Sequence, residues 1–98
     1  MLFHVKAKHS YETCPGIQHG TQSDEVRDLT KWVEGNEDVR IIGAWGYNLA
    51  HTVFAILEAD DVQQITNILR PQMAVGDVEV LPVMDNIAVR KESGHWSN

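Results

Sequence analysis

Hydrophobic and polar residues alternate from Leu2 to His9, with Phe3, Val5 and Ala7 on one side and His4, Lys6 and Lys8 on the other. A period of two predicts a β-strand with one face toward a core. The alternation stops at residues 10–20, where Pro15, Gly16 and Gly20 predict a loop. A loop of this length is unusual in a short chain, and long loops often carry function. The period then changes to that of a helix. Ser23 suits an N-cap, Asp24 and Glu25 suit the positive end of the helix dipole, and Val26, Leu29, Trp32 and Val33 share one face. Gly35 ends that helix.

Residues 39–45 predict a second strand, with Ile42 and Ala44 on one face and Ile41 and Trp45 on the other. Gly46-Tyr47-Asn48 marks a turn, and residues 51–59 predict a third strand that is apolar on both faces. Asp60 or Asp61 caps a second helix with Val62, Ile65, Ile68 and Leu69 on its apolar face, and Pro71 ends it. Residues 77–84 predict a fourth strand. Pro82 has no N–H to give a ladder, which puts that strand at an edge or gives it a bulge. Residues 86–98 show no period, yet Ile87, Val89 and Trp96 are too apolar for a solvated end. That tail is expected to dock on a partner subunit or cover a pocket.

The order β-α-β-β-α-β, with one apolar stripe per helix, places both helices on the same sheet face. Right-handed crossovers then give an α+β, ferredoxin-like domain over residues 1–85, with an antiparallel four-stranded sheet in the order 4-1-3-2. The other sheet face is bare in a single copy and still apolar, so it needs a second cover. A homodimer joined sheet against sheet is the expectation.

The residues Met-Leu-Phe-His-Val-Lys at 1–6, Arg-Ile-Ile-Gly at 40–43, Thr-Val-Phe at 52–54 and the acidic helix start Asp60-Asp61 carry a resemblance. The chain resembles the dimeric α+β barrel superfamily, and within it muconolactone isomerase-like proteins and related small domains of unknown function. The likeness covers roughly residues 1–85 and implies the fold and the dimer. That superfamily includes isomerases, cofactor-free monooxygenases, haem-linked enzymes and stress proteins, so fold alone does not choose an activity. The loop with Cys14-Pro15-Gly16 departs from the isomerase pattern, and no catalytic residue is carried over.

Composition narrows the partners. The 98 residues make one small domain, and a net charge of −6 argues against nucleic acid or an anionic membrane, both of which need a basic face. The longest apolar run, Val53 to Leu57, is far short of a membrane span, and the start of the chain shows no signal-peptide pattern. The single cysteine excludes an internal disulfide and fits a reducing cytoplasm.

Five histidines remain, three of them within the first 19 residues. In the expected topology strand 1 ends at His9, and strand 3 starts beside it at His51. The loop with Cys14 and His19 leaves from the same end. His9, Cys14, His19 and His51 are therefore the candidate metal ligands, with Glu12 as a spare carboxylate. Imidazole and thiolate suit zinc, copper, nickel or iron, and three ligands leave a position open for water or substrate. Two alternatives stand beside this reading. Cys14 is a candidate reactive thiol near a helix start. A pocket bordered by His4, Lys6, Trp45 and Tyr47 would take a small organic ligand, either as a metal-free isomerase or monooxygenase-like enzyme or as a non-catalytic ligand-binding or stress-response module. Gly43 and Gly46 make no phosphate loop because no helix follows them, so no nucleotide cofactor is expected.

Overall fold

The computed structural model describes residues 1–97. Its strands are β1 (Leu2–His9), β2 (Arg40–Tyr47), β3 (Thr52–Glu58) and β4 (Gly76–Val83), and its helices are α1 (Pro15–His19), α2 (Asp24–Leu29), α3 (Val62–Ile68), α4 (Arg70–Met73) and α5 (Asn86–Glu92). Short 3₁₀ segments follow α2 at Thr30–Glu34 and precede β3 at Asn48–Ala50.

The strands form one sheet in the order β2-β3-β1-β4, each antiparallel to its neighbour. This is the order expected from the hydrophobic pattern. The alternation in β1 decides which face is inside. Phe3, Val5 and Ala7 are buried, and Phe3 and Val5 stand opposite Leu57 and Ala55 of β3. Trp32, Val39, Ile65 and Leu69 close this core from the helical side. A fully buried Leu57 or Ile65 contributes roughly 1.5–3 kcal/mol relative to exposure. The caps are as the sequence suggests: Ser23 accepts from the Val26 N–H, and Asp61 accepts from that of Gln64.

The structure corrects four local expectations. In β2 the register shifts between Ile41 and Gly43, so Ile41 and Ala44 lie opposite core residues Leu57 and Ala55, while Gly43 and Trp45 share the other face. The extra residue, Ile42, is a bulge that breaks the simple alternation. Pro15 and Pro71 start helices instead of ending structure, because each sits in a first turn where a missing N–H costs nothing. Val62, expected on the core face of the second helix, is exposed. The segment after Asp85, expected to lack regular structure, forms α5, with the Asp85 carboxylate accepting from the N–H groups of Ile87 and Ala88.

Gly76 fixes the end of the sheet that carries the site. It pairs with His9, and a methyl group added there would stand 2.0 Å from the Lys8 carbonyl oxygen. Backbone on backbone has little room to yield. Gly76→Ala is therefore expected to destabilise the protein by about 1–3 kcal/mol, the usual cost of overpacking. Urea unfolding of the variant measures this, and an unchanged midpoint would contradict it.

The far sheet face carries His4, Lys6, Trp45, Phe54, Ile56 and Leu81 by register. Trp45 and Leu81 on this face are exposed. α5 makes no extensive contact with any other element, and the molecule measures 51 × 28 × 20 Å. Its radius of gyration, 15.6 Å, exceeds the roughly 13 Å of a compact domain this size. Ile87 and Val89 on α5, and Trp96 beyond it, are exposed. Among the described residues no helix is long and apolar enough to cross a membrane.

Candidate functional site

Antiparallel pairing brings the end of β1 to the start of β3. The His9 N–H donates to the His51 carbonyl oxygen at 3.1 Å, and the two imidazole rings lie 5.2 Å apart, edge to face. The 3₁₀ turn Asn48–Ala50 delivers His51 in the left-handed region, at φ 50° and ψ 41°. A side chain there costs about 1–2 kcal/mol, and such strain concentrates at functional sites.

Cys14 arrives from the loop that follows β1. A turn closed by the Thr13 N–H on the Ser10 carbonyl reverses the chain after β1, and Cys14 follows as the N-cap residue of α1. Its carbonyl accepts from the N–H groups of Ile17 and Gln18, and the buried Pro15 locks the first turn. His9, Cys14 and His51 each offer a ligating atom within 4.8 Å of the others. A tetrahedral ion, at about 2.0–2.1 Å from nitrogen and about 2.3 Å from sulfur, would hold such atoms roughly 3.3–3.6 Å apart. Small side-chain rotations cover the difference.

The fourth expected ligand, His19, lies at the end of α1 with Nδ1 3.9 Å from Glu25 Oε1, and is exposed. Glu12 is also exposed and is engaged through its carbonyl, which accepts from the Gln18 side chain. Three of the four histidine and cysteine candidates thus come together and His19 stands beside Glu25.

His9 is electrostatically unusual. Its Nδ1 is buried without a hydrogen-bond partner among the described residues. Burial, and next the neighbouring His51, hold its pKa below the ordinary histidine value of 6.5. The imidazole is therefore neutral at pH 7, the form that binds a metal. This sets the sign of a pH effect on the metal-free protein. Below about pH 6.5 the unfolded chain takes up a proton at His9 that the folded chain refuses, so stability falls as pH drops through that value toward the folded pKa. In EDTA, urea midpoints are expected to fall from pH 7.5 to 5.5, and less steeply in His9→Gln. Equal pH slopes for the two proteins would contradict this origin.

All three clustered residues border a cavity of about 760 Å3 on the helical side of the sheet. Val26, Leu29, Trp32 and Val33 border it too, so the apolar stripe read from the sequence faces a cavity as well as a core. This explains why Val33, expected inside, is exposed. Ile17 and Leu49 add exposed apolar side chains to its rim. Of the expected pocket residues, Trp45 borders the cavity while its ring lies along Gly43. Tyr47 lies opposite Thr52 in the β2–β3 ladder, and His4 and Lys6 occupy the far sheet face, with the His4 ring 6.4 Å from that of Phe54.

The sequence reading missed Gln72 on α4. It is 3% exposed, borders the cavity, and its side chain makes no hydrogen bond among the described residues. Only the helix started by Pro71 brings it there.

Residues 1–93 match the sequence model of a family described as a domain of unknown function, DUF3303, and the match reaches past the end of α5. No curated protein matches the chain. Among solved structures, SCO4226 from Streptomyces coelicolor A3(2) is similar, with a TM-score of 0.51 and 16% identity over 87% of this chain and 100% of that one. At that identity the likeness concerns the fold alone.

Proposed function

This chain belongs to the DUF3303 family of domains of unknown function, and from that premise we propose that it binds one transition-metal ion through His9, Cys14 and His51. The observation that carries the reading is the convergence of two imidazoles and a thiol from three separate segments, within 4.8 Å, on a buried nitrogen that has no partner. An unpaired buried polar group costs about 1–3 kcal/mol, and a metal bond would satisfy it. Two nitrogen donors and one sulfur suit zinc, copper, nickel or iron. Three protein ligands leave a fourth position, and the cavity they share is where an exchangeable ligand would enter.

The subunit is read as ferredoxin-like and as half of a dimeric α+β barrel. Support comes from the apolar sheet face without a cover and from α5, which reaches away from its own domain with apolar residues exposed. The lone thiol supports reading the protein as cytoplasmic. A second reading, a metal-free isomerase- or monooxygenase-like enzyme on a small organic substrate, draws on the cavity beside the same residues.

Elemental analysis of protein purified without a His-tag tests the first reading. About one metal atom per chain is expected after growth in metal-replete medium. A folded protein with no metal under those conditions would overturn it.

A further inference from the structure

Gln72 brings to the cavity a polar group that neither the fold nor the metal reading uses. Gln72 is 3% exposed, yet its carboxamide borders open space and has no protein partner among the described residues. A carboxamide that faces a mostly apolar cavity is satisfied by water or by a ligand group that pairs with it. Of the other polar side chains on the wall, two threonine hydroxyls are engaged within the protein, two residues lie at the surface, and the Trp32 indole N–H can only donate. Thr30 Oγ1 donates to the Val26 carbonyl and Thr52 Oγ1 to that of Ala50. Thr21 and Asn48 are exposed.

The rest of the wall sets the ligand's character. Among the described residues no Lys, Arg, Asp or Glu borders the cavity. A charged molecule would enter without a counter-ion and lose its hydration. Leu29, Trp32, Val33 and Val53 offer apolar contact, and a volume of about 760 Å3 is in the range of organic-ligand sites.

We propose that this cavity binds an uncharged, mostly apolar organic molecule bearing a carbonyl group, whose oxygen accepts a hydrogen bond from Gln72 Nε2. The inference goes beyond the metal reading and does not depend on it. It names the ligand chemistry of the metal-free cavity, since a bound ion would add a positive charge to the wall that His9, Cys14 and His51 share.

The probes are 2-acetylnaphthalene and 2-ethylnaphthalene, which have similar shape and differ in the carbonyl oxygen. Each is titrated into the full chain in EDTA and followed by ¹H–¹⁵N NMR. The ketone is expected to bind about fivefold more tightly, the worth of one net hydrogen bond. Its addition shifts the Gln72 side-chain NH₂ resonances, and the hydrocarbon leaves them nearly unmoved. In Gln72→Leu the preference falls to within about twofold, while hydrocarbon affinity is kept. Should that variant fail to fold, the wild-type Gln72 resonances decide. Equal affinity of the two probes for wild type, a preference that survives in Gln72→Leu, or no binding of either probe up to its solubility overturns the proposal. Repeating the titration with one equivalent of zinc reports on the metal reading and leaves the EDTA result, which decides this one, as it stands.

Discussion

Cys14→Ser and His51→Ala are each expected to weaken zinc binding roughly a hundredfold or more, beyond the 10–100-fold that loss of an outer partner typically costs. The three ligating atoms come from the end of β1, the start of α1 and the residue before β3, so no neighbour in sequence replaces a lost one. His19→Ala is the internal control. With His19 exposed beside Glu25, affinity is expected to stay within a few-fold of wild type. A loss as large as that of Cys14→Ser would restore the four-ligand set expected from the sequence. Cys14 binds as a thiolate and the histidines bind neutral, so affinity rises with pH and binding releases protons. Isothermal titration in two buffers of different ionisation enthalpy measures that release. The metal-free variants are expected to keep their fold, because Cys14 is only partly buried and makes no side-chain hydrogen bond that the core needs.

The second large effect concerns the uncovered sheet face. Ile56 sits near its middle, between His4 of β1 and Gly43 of β2. In the proposed dimer it is enclosed by the partner's sheet. Ile56→Lys would place an ammonium inside that enclosed apolar contact, at a cost of several kcal/mol, enough to separate subunits at micromolar concentration. Light scattering is expected to give a dimer mass for wild type and a monomer mass for Ile56→Lys. Lys6→Ala, on the same face but already carrying a charge, tests whether any change there suffices, and is expected to remain dimeric. A wild-type monomer at micromolar concentration would contradict the dimer, as would an Ile56→Lys dimer of unchanged stability.

Much of the fold could be read from the chain because apolar and polar residues alternate along β1 from Phe3 to Lys8. That pattern fixes which face is buried and, with the helix stripes, the strand order. The failures have physical causes. The bulge at Ile42 follows an apolar Ile41, so either register looks equally hydrophobic and only pairing with β3 decides. A proline breaks a helix from inside and begins one at its first turn. Pro15 and Pro71 do the latter, which spacing alone does not distinguish. α5 exposes its apolar residues within one chain and so lacks the core contact that marks a helical face.

The site divides in the same way. His9 and His51 meet because antiparallel neighbours bring strand ends together, and Cys14 meets them because the loop leaves from that end. Loop membership groups His19 with the cluster, but α1 carries it toward Glu25. Gln72 had no signal at all. A glutamine on a helix is ordinarily a surface residue, and only the cavity gives its burial a meaning.

Cobalt(II) titration of the tag-free, metal-stripped protein tests the central claim most directly. A thiolate ligand gives a charge-transfer band in the near ultraviolet, and low coordination number gives intense visible bands. Both are expected to grow to saturation at one equivalent and to be absent in Cys14→Ser. A spectrum that remains that of hydrated cobalt as protein is added would contradict the metal site.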